Sequence, residues 1–484
     1  MGSIARWLGR DRRPGPLPPE DFALTAEAET AATTVAALDF DEARLPRTVM
    51  SLAWPALVEE LGLSLLGIVD AILVGQLIGS DALAAVGLGS LLFWLPMSGS
   101  MAVVVGTTAV VARDTGAGQA ASVQQALRNS LAVALAWGIL SAVLMVTLAE
   151  PALRLMGAEE DVVPLGATYV RAGGASLALQ SLIFAGGAAL RGAGDTRTPM
   201  LITLFANVVN LVLAYFLISG AFWAPEMGVL GSGLAYSLAN TLGAMLILAL
   251  LLRGRSGLRY DLTRAAKLSR RGIRRILTVG LPAGAQEMQF QIAFMVYARI
   301  VAGLGTATYA AHTVALRAEN LAIMPGFAFG IAAATLVGQA LGAHRLAAAE
   351  RAAKLCHFYA MIFMVSTGLV LLVAAPQVTR IFTGDSEVID IGADLLRIFA
   401  FALPGLGTSA ALAGGLRGAG DTRVVMVLYT ACAWFLRIPV AFALAVPLGL
   451  GAQGAWLGAV LDNSVRGLVI WYRFRQGRWK KMEV

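Results

Sequence analysis

Between Leu61 and Ser80 the chain is Leu, Ile, Val, Gly and other uncharged residues, apart from one carboxyl, Asp70. A lone acid in such surroundings suits one kind of chemistry. Low polarity disfavours its bare charge, so it takes up a proton or small cation from one side and releases it to another. Near the middle of a bilayer an aspartate costs about 2.5 to 3.5 kcal/mol, which marks it as functional. The other reading is an internal hydrogen bond to a Ser, Asn or Tyr that fixes local packing. Glu60 and Glu287 also lie in apolar runs, as cation ligands or as a structural bond between halves, while Glu59 reads as a side chain that snorkels to the near surface. Arg317 and Glu319, two residues apart, point to different helix faces and need partners on other helices. Arg437, two before Pro439, reads as a donor to carbonyls that the proline frees. His312 has the side chain for proton relay, against a packed, hydrogen-bonded role in an Ala-rich helix. Met288, Phe290, Phe294, Met295 and Met324 offer a soft wall for an apolar substrate, or ordinary packing.

The elements that hold these groups follow from composition. Of 484 residues, 58% are hydrophobic and 14% charged, and the mean hydropathy is +0.73; a water-soluble fold could not cover so much apolar surface. Only helices and closed barrels satisfy their backbone in hydrocarbon, and the long unalternating apolar runs exclude barrel strands. An all-α polytopic membrane protein of about twelve spans is expected, at roughly 20 residues each. They fall near 50–77, 83–111, 126–149, 163–189, 199–219, 229–252, 276–300, 307–338, 354–375, 388–415, 424–446 and 452–472. Residues 1–48, with Pro14, Pro16, Pro18 and Pro19, read as a disordered tail. Residues 49–252 form one six-helix lobe, 253–275 a basic linker, 276–472 a second lobe and 473–484 a basic C-terminal tail. Arg113, Arg128, Arg191, Arg197 and the linker arginines fall on one side; Asp81, Glu150, Glu159, Glu160 and Asp161 fall on the other. The positive-inside rule puts both termini and the linker in the cytoplasm.

The halves are copies. Leu190 to Arg197, Leu-Arg-Gly-Ala-Gly-Asp-Thr-Arg, returns unchanged at Leu416 to Arg423. Pro55 then lies over Pro282, Glu60 over Glu287 and Gly116 over Gly342, whereas Asp70 falls over Tyr297. An even number of spans per copy makes the repeats parallel, two lobes facing each other across a central cleft. In each octapeptide Gly192 or Gly418 belongs to a tight turn, and Arg191, Asp195, Arg417 and Asp421 can pair or cap helix ends.

With these features the chain resembles the multidrug and toxic compound extrusion (MATE) transporters. The likeness rests on the doubled Leu-Arg-Gly-x-Gly-Asp-Thr loops, on Ile68-Val69-Asp70 with Val74-Gly75, on Pro325 followed by Leu336-Val337-Gly338-Gln339, and on Asn207-Val-Val-Asn210. Arg437-Ile438-Pro439 is similar to the branch named for DNA-damage-inducible protein F. The resemblance implies an exporter of cationic or amphipathic organic compounds, driven by protons or sodium. It gives Asp70 the coupling ion, makes Asn210 a neighbour in the same cavity, puts Tyr236 where relatives often carry a threonine, and makes Pro55 a helix bend. Ala214 stands where many relatives place an aspartate. Too few oxygens remain for a sodium cage, and proton coupling is favoured over sodium.

Other classes lack their motifs. There is no Gly-Lys-Ser/Thr phosphate loop and no His-Glu-x-x-His, and the chain has only 3 histidines and 2 cysteines. No enzyme, cofactor, metal or nucleic-acid partner is expected. The net charge of +7 is spent at span boundaries. A monomer in the bacterial inner membrane is expected, with a lipid-linked oligosaccharide flippase as the alternative.

Overall fold

A computed structural model of the chain describes residues 38–221, 225–261, 263 and 267–482. Most of the expected N-terminal tail, 1–37, lies outside the described residues. All secondary structure among the described residues is helical. Six spans make the first lobe: Leu45–Leu77; Ser80–Leu92 continued by Trp94–Gly116; Ala120–Leu155; Val162–Gly174 continued by Leu177–Gly192; Arg197–Ser219; and Gly228–Leu252. Six matching spans make the second: Arg270–Ala302; Thr306–Gly342; Leu346–Arg380; Ser386–Ala400 continued by Leu403–Gly418; Thr422–Cys432 continued to Ala445; and Gly451–Arg475. Among the described residues, length and hydropathy alone pick out seven of these, or nine if each bent pair is one span. The first, seventh and twelfth complete the set and carry charged residues such as Glu59, Arg274 and Asp462.

The duplication reaches into irregularities. Both fourth-position spans are bent, by 48° near Ala175 and by 52° near Phe401. The sequence does not announce the first bend, because no proline marks it. Conversely Pro55 and Pro282 lie inside unbroken helices. In the eleventh span a π-helical turn, Ala433–Arg437, precedes Pro439.

Helix ends overrun the expected boundaries. The first span starts at Leu45, and Phe40 and Leu45 are buried against the second lobe's Phe329, Leu336 and Val337. The seventh starts at Arg270, inside the expected linker, because Ser269 accepts the amide of Gly272 and caps it. The linker is held to the third span through Gln124, which donates to the Gly257 carbonyl at 2.7 Å and accepts the Arg259 amide at 2.9 Å. At the C-terminus Trp479 is buried and stacks on Phe474 at 5.0 Å.

The lobes meet along the halves of their helices nearest the termini and linker, here called the basic end. The second span packs on the seventh and the first on the eighth. Small residues set the distance: a Cβ added to Gly280 would lie 1.8 Å from the Ala102 carbonyl oxygen, so only glycine lets these helices touch backbone to backbone.

Candidate ion-coupling site and lobe interface

Asp70 lies on the first span seven residues before its end at Leu77, about 10 Å along the axis. It is therefore in the half of the helix away from the basic end, rather than at the centre. Ser232 of the sixth span and Tyr169 of the fourth face its carboxyl. The Ser232 hydroxyl is buried and completes no hydrogen bond among the described residues. Tyr169 meets Phe93 edge-on at 5.8 Å, and Phe93 stacks on Tyr236 at 5.7 Å, so an aromatic wall backs the acid. The Tyr236 hydroxyl accepts from Gln180 Nε2 at 2.5 Å, and both border a small cavity of about 40 Å³ with Trp137 and Phe184. Asn210 and Ala214 are buried on the fifth span, which packs along the first. Ser232, Tyr169 and Gln180 were not legible in the sequence, because single polar residues in apolar spans carry no spacing signal.

Below this pocket sits a buried pair. Arg191 of the first octapeptide donates to Glu59 at 3.1 Å, and Thr203 donates to the same carboxylate at 3.1 Å. Glu59 therefore does not snorkel, contrary to expectation: a cation from the fourth span meets it inside. Half-buried Glu60 lies within electrostatic reach of Glu59 and Arg191. The matching place in the second lobe holds Gln286, which accepts from Arg417 at 3.2 Å. Glu287 accepts from Gln291 one turn on, and Met288 is exposed.

Where Asp70 has its counterpart, Tyr297, the second lobe carries a cluster of a different kind. Asp462 of the twelfth span takes Arg437 at 3.1 Å and Arg466 at 2.6 Å, all three buried. Arg437 also stacks over Phe290 and Tyr297, and Arg466 over Tyr429. The expectation that Arg437 serves freed carbonyls is thus corrected: its partner is a carboxylate, that of Asp462. Glu319 lies within reach of Arg437 and Arg466, the partners on other helices it was expected to need. The i, i+4 spacing of Asp462 and Arg466 was the overlooked signal. His312 is buried, accepts from Trp456 Nε1 at 3.1 Å and lies among Tyr297, Tyr309 and Trp456, a packed setting.

The octapeptides end at the lobe interface. Gly194 and Gly420 have φ of +94° and +91°, the left-handed turn both copies need. A Cβ on Gly192 would meet the Thr108 carbonyl oxygen at 2.9 Å, and one on Gly418 that of Ala334 at 2.1 Å. Asp195 caps the fifth span by accepting the Thr198 amide at 2.9 Å and hydroxyl at 2.7 Å, and also takes the Ser256 hydroxyl. These donors and nearby Arg255 hold its carboxyl below the usual range despite desolvation. Asp421 instead is buried and takes Arg473 at 2.8 Å; desolvation wins and its carboxyl is pushed up. Two sets of contacts cross between lobes here. Arg275 grips Asp114 with two bonds, 2.6 and 2.9 Å, while Ser122 donates to the same carboxylate. Gln339 of the eighth span accepts the Leu38 amide at 3.0 Å and donates to the Gly192 carbonyl at 2.9 Å, beside Thr335, which donates to that of Arg191. No group of three metal-ligating side chains occurs among the described residues.

The duplication has its match in known proteins. A family model described as MatE fits twice, over residues 55–216 and 282–443. A probable multidrug resistance protein NorM of Thermotoga maritima is 29% identical over 90% of this chain and 94% of its own length. Another from Xanthomonas campestris is 31% identical over 89% and 94%, and the multidrug resistance protein PmpM of Pseudomonas aeruginosa is 28% identical over 88% and 90%. Among solved structures, an outward-facing multidrug resistance MATE family transporter has a TM-score of 0.84 at 24% identity, with 90% of this chain and 97% of that one covered.

Proposed function

Since the chain belongs to the multidrug and toxic compound extrusion family, as the double match to its model requires, we propose that it exports cationic or amphipathic organic compounds in exchange for protons. Its relatives are drug-extrusion transporters, not enzymes, and the family works by alternating access. The proton is assigned to Asp70 and the observation that carries it is the poverty of its surroundings. A serine hydroxyl and a tyrosine face the acid, and buried Ala214 stands where a second carboxylate would be needed. Sodium wants several oxygen ligands, whereas one carboxyl holds a proton. Asn210 and Tyr236 complete the polar and aromatic lining on this reading, and Met288 and Phe290 offer adaptable apolar contact to substrate.

The basic end is assigned to the cytoplasm of a bacterium by its arginines, with the chain in the inner membrane and acting as a monomer. With the lobes pressed together there, the cleft faces outward. A proton loads Asp70 from outside, substrate leaves, the lobes rock, and the proton exits inside. For a substrate without net charge, one proton moving inward through 100 mV yields about 2.3 kcal/mol, roughly a fiftyfold substrate gradient; a monovalent cation exchanged one for one moves no net charge, and the pH gradient alone drives it. A flippase for anionic amphipaths would call for an uncompensated positive cavity; here Arg437 and Arg466 are answered by Asp462 and Glu319.

The test is efflux of a fluorescent organic cation in everted vesicles, with pH and sodium gradients imposed separately. Transport is expected with the pH gradient alone, and Asp70→Asn is expected to abolish it while the protein still inserts and elutes as one species. Transport that follows sodium, or survives the substitution, removes the assignment.

A further inference from the structure

We propose that a groove between the seventh and eleventh spans at the basic end is a binding site for an anionic phospholipid of the adjoining leaflet. The groove, about 660 Å³, has three arginines at its mouth, Arg270, Arg274 and Arg423, and Leu277, Leu281 and Met426 along its wall. Arg270 and Arg274 stand one turn apart on one face of the seventh span, and Arg423 ends the second octapeptide. All three are exposed, and none pairs with a carboxylate among the described residues. Three arginines buried deeper at this end are answered, Arg191 by Glu59, Arg275 by Asp114 and Arg473 by Asp421, whereas the groove brings three exposed ones together over an apolar wall. From Arg270 to Leu281 the helix climbs about 16 Å, which carries the groove from headgroup depth into the acyl region. Leu281 is 58% exposed there, in place to meet a chain.

Charge and depth together select the occupant. A phosphate diester with no compensating cation of its own satisfies the arginines, and its chain covers the leucines. A soluble anion leaves the apolar wall bare, and a zwitterionic lipid brings its own ammonium to three guanidinium groups. The opposite lobe keeps only part of the site: at the same offset that sets Pro55 over Pro282, Arg47 stands over Arg274 and Arg197 matches Arg423, but Ala43 replaces Arg270 and Trp54 replaces Leu281, so the third charge and the leucine of the wall are missing. Because Pro282 also lines the groove, a bound lipid would rest against the seventh span at its one internal proline.

The full chain, released from micelles holding equal phosphatidylglycerol and phosphatidylcholine, is examined by native mass spectrometry. Phosphatidylglycerol is expected to be retained preferentially. Each single Arg→Gln substitution at 270, 274 or 423 should lower that preference roughly fivefold, and the three together roughly a hundredfold. Leu281→Gln should weaken retention of both lipids without changing the preference. Glycerol phosphate, which has the headgroup charge but no chains, should not displace the lipid at equal concentration. The proposal is overturned if the single variants, eluting as one species, keep the wild-type preference, or if glycerol phosphate displaces the lipid.

Discussion

Asp462 answers two buried arginines at once, and the arithmetic of that cluster sets the sharpest expectations for single residues. Asp462→Asn leaves Arg437 and Arg466 without a counter-charge in a dry interior, a change that costs about 3 to 5 kcal/mol; the thermal unfolding midpoint in detergent should fall well below that of Asp70→Asn. At Glu59 the second lobe has already run the milder experiment, since Gln286 accepts from Arg417 where Glu59 accepts from Arg191. Glu59→Gln should therefore cost much less than Glu59→Ala, and equal losses would show that charge alone matters there. The octapeptides give a pH test, because identical sequences hold their aspartates oppositely. Asp195 is held low, so its stabilisation is present above the ordinary value of 3.8 and is lost as pH falls further. Asp195→Asn, which can still cap, should lose only the charge-dependent part of this stabilisation, a cost present at neutral pH that fades in acid. Asp421 is held high, so its contribution is greatest below 3.8 and is lost as pH rises through the folded value; Asp421→Asn should gain on the wild type with rising pH. Nothing in the repeated letters foretells this difference: Ser256, which helps hold Asp195 low, lies far away in the chain, and Asp421 is pushed up by burial that Arg473, equally distant, only partly offsets. Asp70 was legible because a lone charge in an apolar run stands out, whereas Glu59 was misjudged because its partner, Arg191, is 132 residues away.

Helices were legible wherever apolar runs were long, and their ends were not. Hydrophobicity marks the part of a helix in hydrocarbon, but hydrogen bonding continues into water wherever a cap or a packed neighbour supports it. Hence the seventh span begins at Ser269's cap amid arginines, and the first begins at Leu45, before its apolar run. The bend near Ala175 escaped notice for a similar reason: it answers to packing rather than to a proline. Close approach between elements leads to a clear expectation at Gly280. Gly280→Val drives a side chain into the Ala102 carbonyl, so the second and seventh spans cannot meet. Cysteine pairs placed across that seam should lose their cross-linking in the variant, and efflux should fall with it; unchanged cross-linking would mean that the seam has room to spare.

At the scale of the whole molecule, two lobes copied from one unit are joined mostly by small residues and a few polar ties, which suits bodies that separate and rejoin. The tie between Asp114 and Arg275 is the strongest of these across the basic end. Weakening it with Asp114→Asn, at about 2 kcal/mol, should shift the balance towards the form open at that end roughly thirtyfold, read as faster labelling of cysteines placed in the seam. Gln339 adds a different consequence. A single amide there grips the peptide at Leu38, just before the first span, and the turn of the first octapeptide together, so parting the lobes at this end loosens the hold on Leu38. If the proposed exchange cycle parts the lobes here, a protease offered at the basic end should clip the segment at Leu38 faster during transport, and Asp70→Asn, which should stall the cycle, should leave the clipping slow.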